Sequence, residues 1–246
     1  MKAMLLSEAG QETSGRVSRY LTFDLASGES ISRQLTRALR RAIVTTRIKP
    51  GEMLSEQDIA STLGISRQPI REAIINLREL GLIRVFPQRG TQVLKISPKA
   101  VEDARFIREA VECAVVREAA LKADFDDIYR LHDNIALQRR SLRIDDPEAF
   151  FDLDEDFHRL LAATAKRPST WDFIEMVKPQ VDRVRFLDLD DHHSQESNVA
   201  EHAALVEAVE NHDPAKAEQA MQEHLRSVRK ALLRIKTRSP DMFESD

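Results

Sequence analysis

Residues Ser55 to Leu80 read SEQDIASTLGISRQPIREAIINLREL, and this stretch decides the fold of the N-terminal part of the chain. Ser55 and Asp58 have capping-box spacing, which predicts a helix start. Ile59, Ala60 and Leu63 give that helix an apolar side, and Gly64 ends it. Ser66 is placed to cap a second helix, in which Ile70, Ala73, Ile74, Leu77 and Leu80 recur every three or four residues. Pro69 falls in the first turn, where its missing N–H breaks no intrahelical bond. Arg67, Gln68 and Arg71 then project from the start of the second helix, with Arg67 and Arg71 four apart on one face.

Two short helices, a tight turn and an arginine-bearing N-terminus describe a helix-turn-helix whose second helix suits the major groove. A planar guanidinium grips guanine O6 and N7 together, or clamps a phosphate. Leu82, Ile83 and Val85, the turn Pro87 to Gly90, and Thr91 to Ile96 then read as a β-hairpin with Arg89 at its tip. A hairpin directly after a recognition helix is a wing. Ser66, Arg67, Gln68, Arg71, Arg89 and Gly90 are therefore the candidate contacts to double-stranded DNA.

The segment from Pro50 to Val93 resembles the winged-helix domain of the GntR family of bacterial transcription regulators. The likeness runs through Pro50-Gly51, the segment SRQPIREA and the wing tip Arg89-Gly90. It implies that Arg67 and Arg71 stand at operator-contacting positions and that the wing reaches the minor groove.

Charge is divided along the chain. The net value is −4. Glu29 to Ser97 carries 12 Lys and Arg against 6 Asp and Glu, whereas Pro98 to Asp246 carries 22 against 32. A basic module joined to an acidic one suits a DNA-binding domain coupled to a domain of another purpose. No uninterrupted apolar run reaches membrane length, and Met1 to Gln11 lacks a signal-peptide pattern, so a soluble cytoplasmic protein is expected. The single cysteine, Cys113, sits in a helical pattern and reads as a small core residue.

The expected organisation is an arm over residues 1–28, a winged helix-turn-helix over 29–97, a helical domain over 98–238 and a frayed tail over 239–246. Within the second unit, Ser30 caps a helix to about Arg47 with Ile31, Leu35, Leu39 and Ile43 inward. After Pro98 six helices are expected: about Lys99 to Lys122, Phe125 to Arg143, Pro147 to Ala165, Pro168 to Leu187, Ser197 to Asn211 and Pro214 to Thr237. Asp, Asn or Pro marks the breaks between them. No strand-like alternation appears, so the fold class is mainly α, a winged helix followed by an all-α antiparallel bundle. No Gly-rich phosphate loop supports a nucleotide cofactor.

Polar residues fall on the apolar stripes of that bundle. Asp154 and His158 share a stripe with Phe150, Leu153, Phe157 and Leu161. His202 lies among Val199, Val206 and Val209, and His224 among Ala217, Met221, Val228 and Leu232. A buried carboxylate is expensive unless paired or bound to an ion. Asp154 and His158, at i and i+4, can both reach one ion, with His202 and His224 approaching from other helices. Three imidazoles and a carboxylate suit a divalent transition ion, Zn²⁺, Ni²⁺, Fe²⁺ or Mn²⁺. Arg108, beside Ala104, Ile107, Val111 and Val115, also faces inward, and an arginine near an ion is a carboxylate trap. Gln180 and Arg183 are further pocket candidates.

This half resembles the FCD ligand-binding domain of the FadR subfamily within GntR. The likeness rests on DLDEDFH at Asp152 to His158, on Ala200 to Leu225, and on REAVE at Arg108 to Glu112. It implies that Asp154, His158, His202 and His224 hold an ion and that Arg108 lines an effector pocket. Six helices rather than seven resemble the VanR-like group. The implied function is a homodimeric regulator, usually a repressor, reading a palindromic operator and modulated by a small organic or sugar acid. Two alternatives stand beside it: a sensor whose signal is the ion, and a His/Asp metalloenzyme, for which no general base is evident.

Overall fold

The computed structural model describes residues 28–86 and 90–245. The arm expected over 1–28, apart from Gly28, lies outside them, as does Arg89 at the wing tip. The chain divides into two units, one comprising the N-terminal 97 residues with 241–246, the other Pro98–Pro240.

In the first unit, α1 (Ile31–Val44) is capped by the Ser30 hydroxyl, which accepts from Arg33 N, and ends before the expected Arg47. The helix-turn-helix follows as α2 (Glu56–Leu63) and α3 (Arg67–Glu79). Ser55 Oγ accepts from Asp58 N at 3.2 Å, which starts α2. Gly64, at φ 64°, takes the left-handed position that closes it and that a side chain would strain. Ser66 occupies the cap position of α3 in extended backbone, but its hydroxyl makes no capping bond, contrary to expectation. Leu35, Leu39, Ile43, Ile59, Ile70 and Leu77 are wholly buried in one core.

The wing is β2 (Ile83–Phe86) paired antiparallel with β3 (Gly90–Val93), in the register Val85 to Thr91 and Phe86 to Gly90. A third strand, β1 (Met53–Leu54), pairs on the far side of β3, giving the order β1-β3-β2. Two residues are too short for any alternation to announce themselves in sequence. Gly51 N donating to Val93 O at 2.8 Å and Val93 N to Glu52 O at 2.9 Å extend the pairing.

The tail is not frayed. A short 3₁₀ turn, Pro240–Met242, leads into Phe243, which pairs in parallel with Ile96. Ile96 N donates to Met242 O at 2.8 Å, and Glu244 N to Ile96 O at 3.0 Å. Phe243 is 2% exposed. Burial of one aromatic ring and two backbone bonds outweighs the entropy of ordering a few terminal residues.

The second unit contains eight helices among the described residues, not six: α4 (Pro98–Lys122), α5 (Phe125–Ile144), α6 (Pro147–Thr164), α7 (Ser169–Val177), α8 (Pro179–Asp188), α9 (His192–Glu210), α10 (Pro214–Arg226) and α11 (Val228–Arg238). The expected fourth helix is split because Pro179 has no N–H to donate one turn back. The expected sixth is split at Ser227, whose hydroxyl and N–H both turn to His224 O. The other breaks follow the residues that mark them. Asp124 forms a capping box with Asp127, and Asp146 and Asp213 cap helices that open on Pro147 and Pro214. Asp191 caps α9, which begins at His192, five residues before the expected Ser197. Cys113 is buried, and burial pushes its thiol up to about 12, as suits a core residue. No helix among the described residues is long and apolar enough to cross a membrane.

Phe243→Ala is expected to lower stability by about 3 kcal/mol. Thermal or urea unfolding checks it, and an unchanged transition would mean that the tail packs without holding the winged unit together.

Candidate nucleic-acid interface and metal centre

Arg67 and Arg71 emerge from the first turns of α3 and are about half exposed. Both reach back to one carboxylate that sequence reading overlooked. Glu56 Oε2, on α2, lies 3.4 Å from Arg67 Nη2 and 3.3 Å from Arg71 Nε. Exposed pairs of this kind are worth roughly 0–1 kcal/mol, so they aim the guanidiniums without locking them away from a phosphate or base. Gln68 Nε2 donates to Glu72 Oε1 at 3.1 Å, one turn along the same helix. Gly90, at φ 97°, opens β3 beside the wing tip.

In the bundle, α6, α9 and α10 bring His158, His202 and His224 together. Their Nε2 atoms face inward, His224 Nε2 lying 3.3 Å from that of His158 and 3.4 Å from that of His202. All three rings are buried, and each turns Nδ1 outward to a side-chain oxygen. His158 Nδ1 lies 2.6 Å from Glu112 Oε2, His202 Nδ1 is 2.9 Å from Gln138 Oε1, and His224 Nδ1 is 2.8 Å from Glu201 Oε2. An oxygen acceptor at Nδ1 selects the Nδ1–H tautomer and leaves Nε2 a lone pair. Three lone pairs thus point at one another. Burial pushes His202 well below its ordinary value, and neighbouring His224 and His158 push it further. Burial takes His224 down to about 4, against the opposing hydrogen bond to Glu201. Neutral imidazoles with aligned lone pairs are the form that a transition ion takes.

Asp154 stands at the edge of this group. Its Oδ1 is 3.7 Å from His202 Nε2, while Oδ2 pairs with Arg185. The tight group is the three imidazoles, whose ligand atoms lie within 4.8 Å of one another.

Beside His224 is a cavity of about 40 Å³, lined among others by Arg108, Arg185, Asp188, Asn198 and Ser227. That is room for a few waters or a small anion. Arg108 is 2% exposed, and its Nη2 has no hydrogen-bond partner. Burial acts to lower the Arg108 value, yet the Glu112 carboxylate outweighs it and keeps the guanidinium charged. Ile107, read as one of the inward neighbours of Arg108, is 41% exposed.

Gln180 and Arg183 are buried on α8, as expected of inward residues, but it is Arg185 that lines this cavity. Burial and the neighbouring Arg108 bring Arg185 down to about 9, so it remains a cation at neutral pH. Arg185 also meets Glu155 at 2.8 Å and Asp182 at 3.2 Å. Lys178, at the junction of α7 and α8, bonds the same two acids, Asp182 at 2.7 Å. Of the residues sequence reading missed, Glu112 carried a signal: it lies one turn from Arg108 on the same helix face. Gln138 shares a buried stripe with Leu131 and Ile135, whereas Glu201 and Arg185 had no such mark.

Comparison with known proteins bears on both units. Residues 31–93 match the bacterial regulatory proteins of the gntR family, and residues 103–227 match the FCD domain. The chain is 38% identical over 218 residues to the HTH-type transcriptional repressor RspR of Escherichia coli K12, spanning 89% of this chain and 96% of that protein. The chain belongs to the GntR family. It is a DNA-binding transcriptional regulator with an FCD domain, of the FadR-like kind, and not an enzyme. The HTH-type transcriptional repressor NanR of Klebsiella aerogenes is a more distant relative, 26% identical over 225 residues, 81% of this chain and 83% of that one. The solved structure of E. coli McbR/YncC shares the fold, with a TM-score of 0.74 at 18% identity over 84% of this chain and 98% of that one.

The buried acids and bases of α8 yield a prediction for this GntR regulator. Lys178→Met removes one partner from two buried carboxylates and is expected to destabilise the fold by about 3–5 kcal/mol. Urea unfolding measures it, and a loss below about 1 kcal/mol would mean that Arg185 alone satisfies Glu155 and Asp182.

Proposed function

We propose that this GntR regulator binds a palindromic operator as a homodimer, as a repressor, and is modulated by a small organic or sugar acid at a metal-containing pocket in its FCD domain. The observation that carries the pocket is the convergence of three imidazole lone pairs in a buried site. Three ring nitrogens so placed suit a shared cation. His158, His202 and His224 would hold a divalent transition ion, Zn²⁺, Ni²⁺, Fe²⁺ or Mn²⁺, with Asp154 at hand as a fourth donor. A bound ion supplies a Lewis-acid anchor for a carboxylate oxygen. Arg108 and Arg185 offer charged N–H groups on the cavity beside it, and Asn198 and Ser227 offer neutral polar groups that suit hydroxyls. Repression is supported by the relatives RspR and NanR, both HTH-type transcriptional repressors.

On the DNA side, Ser66 at the cap of α3 and Arg67, Gln68 and Arg71 on it read the major groove, and the wing, with Arg89 and Gly90, follows the adjacent minor groove. Glu56 restrains both arginines. Modulation requires that the acid bind one arrangement of the dimer better than another, typically by about 1–3 kcal/mol.

Two outcomes test this reading. Thermal stability measured against organic and sugar acids, before and after chelation, is expected to rise for one acid only with the ion present, by about 2.7 kcal/mol at a hundredfold excess over Kd. Stabilisation by the ion with every acid silent, together with ion-dependent operator release, would replace the acid with the ion as the signal. On the operator, Arg71→Ala is expected to lose about 1–3 kcal/mol and relax base preference, whereas Glu56→Gln strengthens binding to random DNA by freeing two cations. Fluorescence anisotropy on specific and random duplexes separates the two, and an equal loss on both for Arg71→Ala would remove its base-reading role.

A further inference from the structure

Glu112 divides one carboxylate between the two halves of the pocket. It stands on α4 one turn beyond Arg108, and its Oε1 accepts from Arg108 Nε at 2.6 Å. Its other oxygen lies 2.6 Å from His158 Nδ1. Glu112, Arg108 and His158 are all at most 3% exposed, so the carboxylate has no solvent to turn to. The other two outer oxygens are not shared in this way. Gln138 serves His202 and donates to Asn134 Oδ1 at 2.7 Å, and Glu201 serves His224 and accepts from Ser197 Oγ at 3.3 Å. Among the described residues, neither pairs with a guanidinium.

We propose that Glu112 is a positioning residue that couples the imidazole cluster to the anion-binding arginine. It holds His158 with Nε2 toward the other two rings, and it holds Arg108 with Nη2 left over at the cavity. The coupling follows from sharing. An anion drawn onto Arg108 competes with Glu112 for the guanidinium, so the carboxylate leans toward His158 and makes that imidazole a stronger donor. An ion on the imidazoles draws Glu112 toward His158 in turn and releases Arg108 toward the anion. Linkage requires both effects to have the same size. This inference rests on the reading of the imidazoles as a metal centre.

The chain carries its own reporter. Trp171 is its only tryptophan, and its ring stacks on His158 with centroids 5.9 Å apart and planes 11° from parallel. Co²⁺ titrated into the full-length chain is read by Trp171 quenching and by the visible bands of the bound ion. Glu112→Gln is expected to weaken Co²⁺ binding by about 10–100-fold and to alter those bands, with the helical signal retained. Arg108→Met commits Glu112 to His158 and is expected to tighten Co²⁺ binding, an effect that shrinks when Glu112→Gln is also present. Additive effects of the two substitutions would overturn the coupling, and an unchanged Co²⁺ affinity in Glu112→Gln would overturn the role of Glu112 altogether. If wild type takes up no Co²⁺, the metal centre itself fails rather than this refinement of it. Should Glu112→Gln not fold, histidine-selective ¹⁵N NMR of wild type decides. His158 protonated at Nδ1, with Nε2 shifting on Zn²⁺ addition, supports the proposal, and the opposite tautomer, insensitive to Zn²⁺, overturns it.

Discussion

Three imidazoles that each turn Nδ1 outward to a side-chain oxygen leave their Nε2 atoms facing one another. That single constraint organises the helical unit. The rings come from α6, α9 and α10, and the oxygens that turn them come from α4, α5 and α9, so five helices must hold their axial positions to within a fraction of a helical turn. Phe157 stacks on His202 with centroids 4.2 Å apart, and Trp171 stacks on His158, so aromatic faces fix the ring planes that the hydrogen bonds leave free to rock. Burial then lowers the His202 and His224 values and so favours their neutral form. The apolar surroundings that make charged imidazole unfavourable also make an unshared lone pair unfavourable, and the cluster stands between those two penalties.

The second tier of the site is ionic. Lys178, Asp182, Glu155, Arg185 and Asp154 form a connected run of alternating charge from α6 to α8, nearly all of it out of solvent. Paired this way, buried charges add geometric definition more than stability, since their desolvation offsets much of their attraction. Pro179 makes the run possible. It restarts the helix, and the new register turns Arg185 toward the cavity. The opposite balance holds on the DNA face, where Glu56 meets Arg67 and Arg71 in half-exposed contacts that water screens. Charges around the imidazoles are buried and fixed, and those on the helix-turn-helix are exposed and lightly held.

Much of this was legible in the residues. The helix-turn-helix declares its ends through Ser55 and Gly64, and the wing through Gly90, because those termini depend on local chemistry. Asp154, His158, His202, His224 and Arg108 were legible as inward residues because helical period assigns a face without knowledge of what lies opposite. What escaped depends on tertiary neighbours or on breaks without a loud signal. Lys178-Pro179 and Ser227 split helices whose apolar rhythm carries on across them. Gln138 and Glu201 become partners only once α5, α9 and α10 are side by side, and Arg185 only once α8 has restarted. The two residues of β1 and the pairing of Phe243 with Ile96 are too brief for any periodicity to report.

That last pairing has a consequence for biosynthesis. The residues that complete the winged-helix unit are separated by the entire helical bundle, so the bundle is, topologically, an insertion between Ile96 and Phe243. A nascent chain emerges N-terminus first. The helix-turn-helix can collapse early around Leu39, Ile70 and Leu77, but the backbone partners of Ile96 do not yet exist when it does. They are translated only after all eight bundle helices. The finished DNA-binding unit is therefore made last as well as first, and every copy that reaches it already carries its regulatory domain.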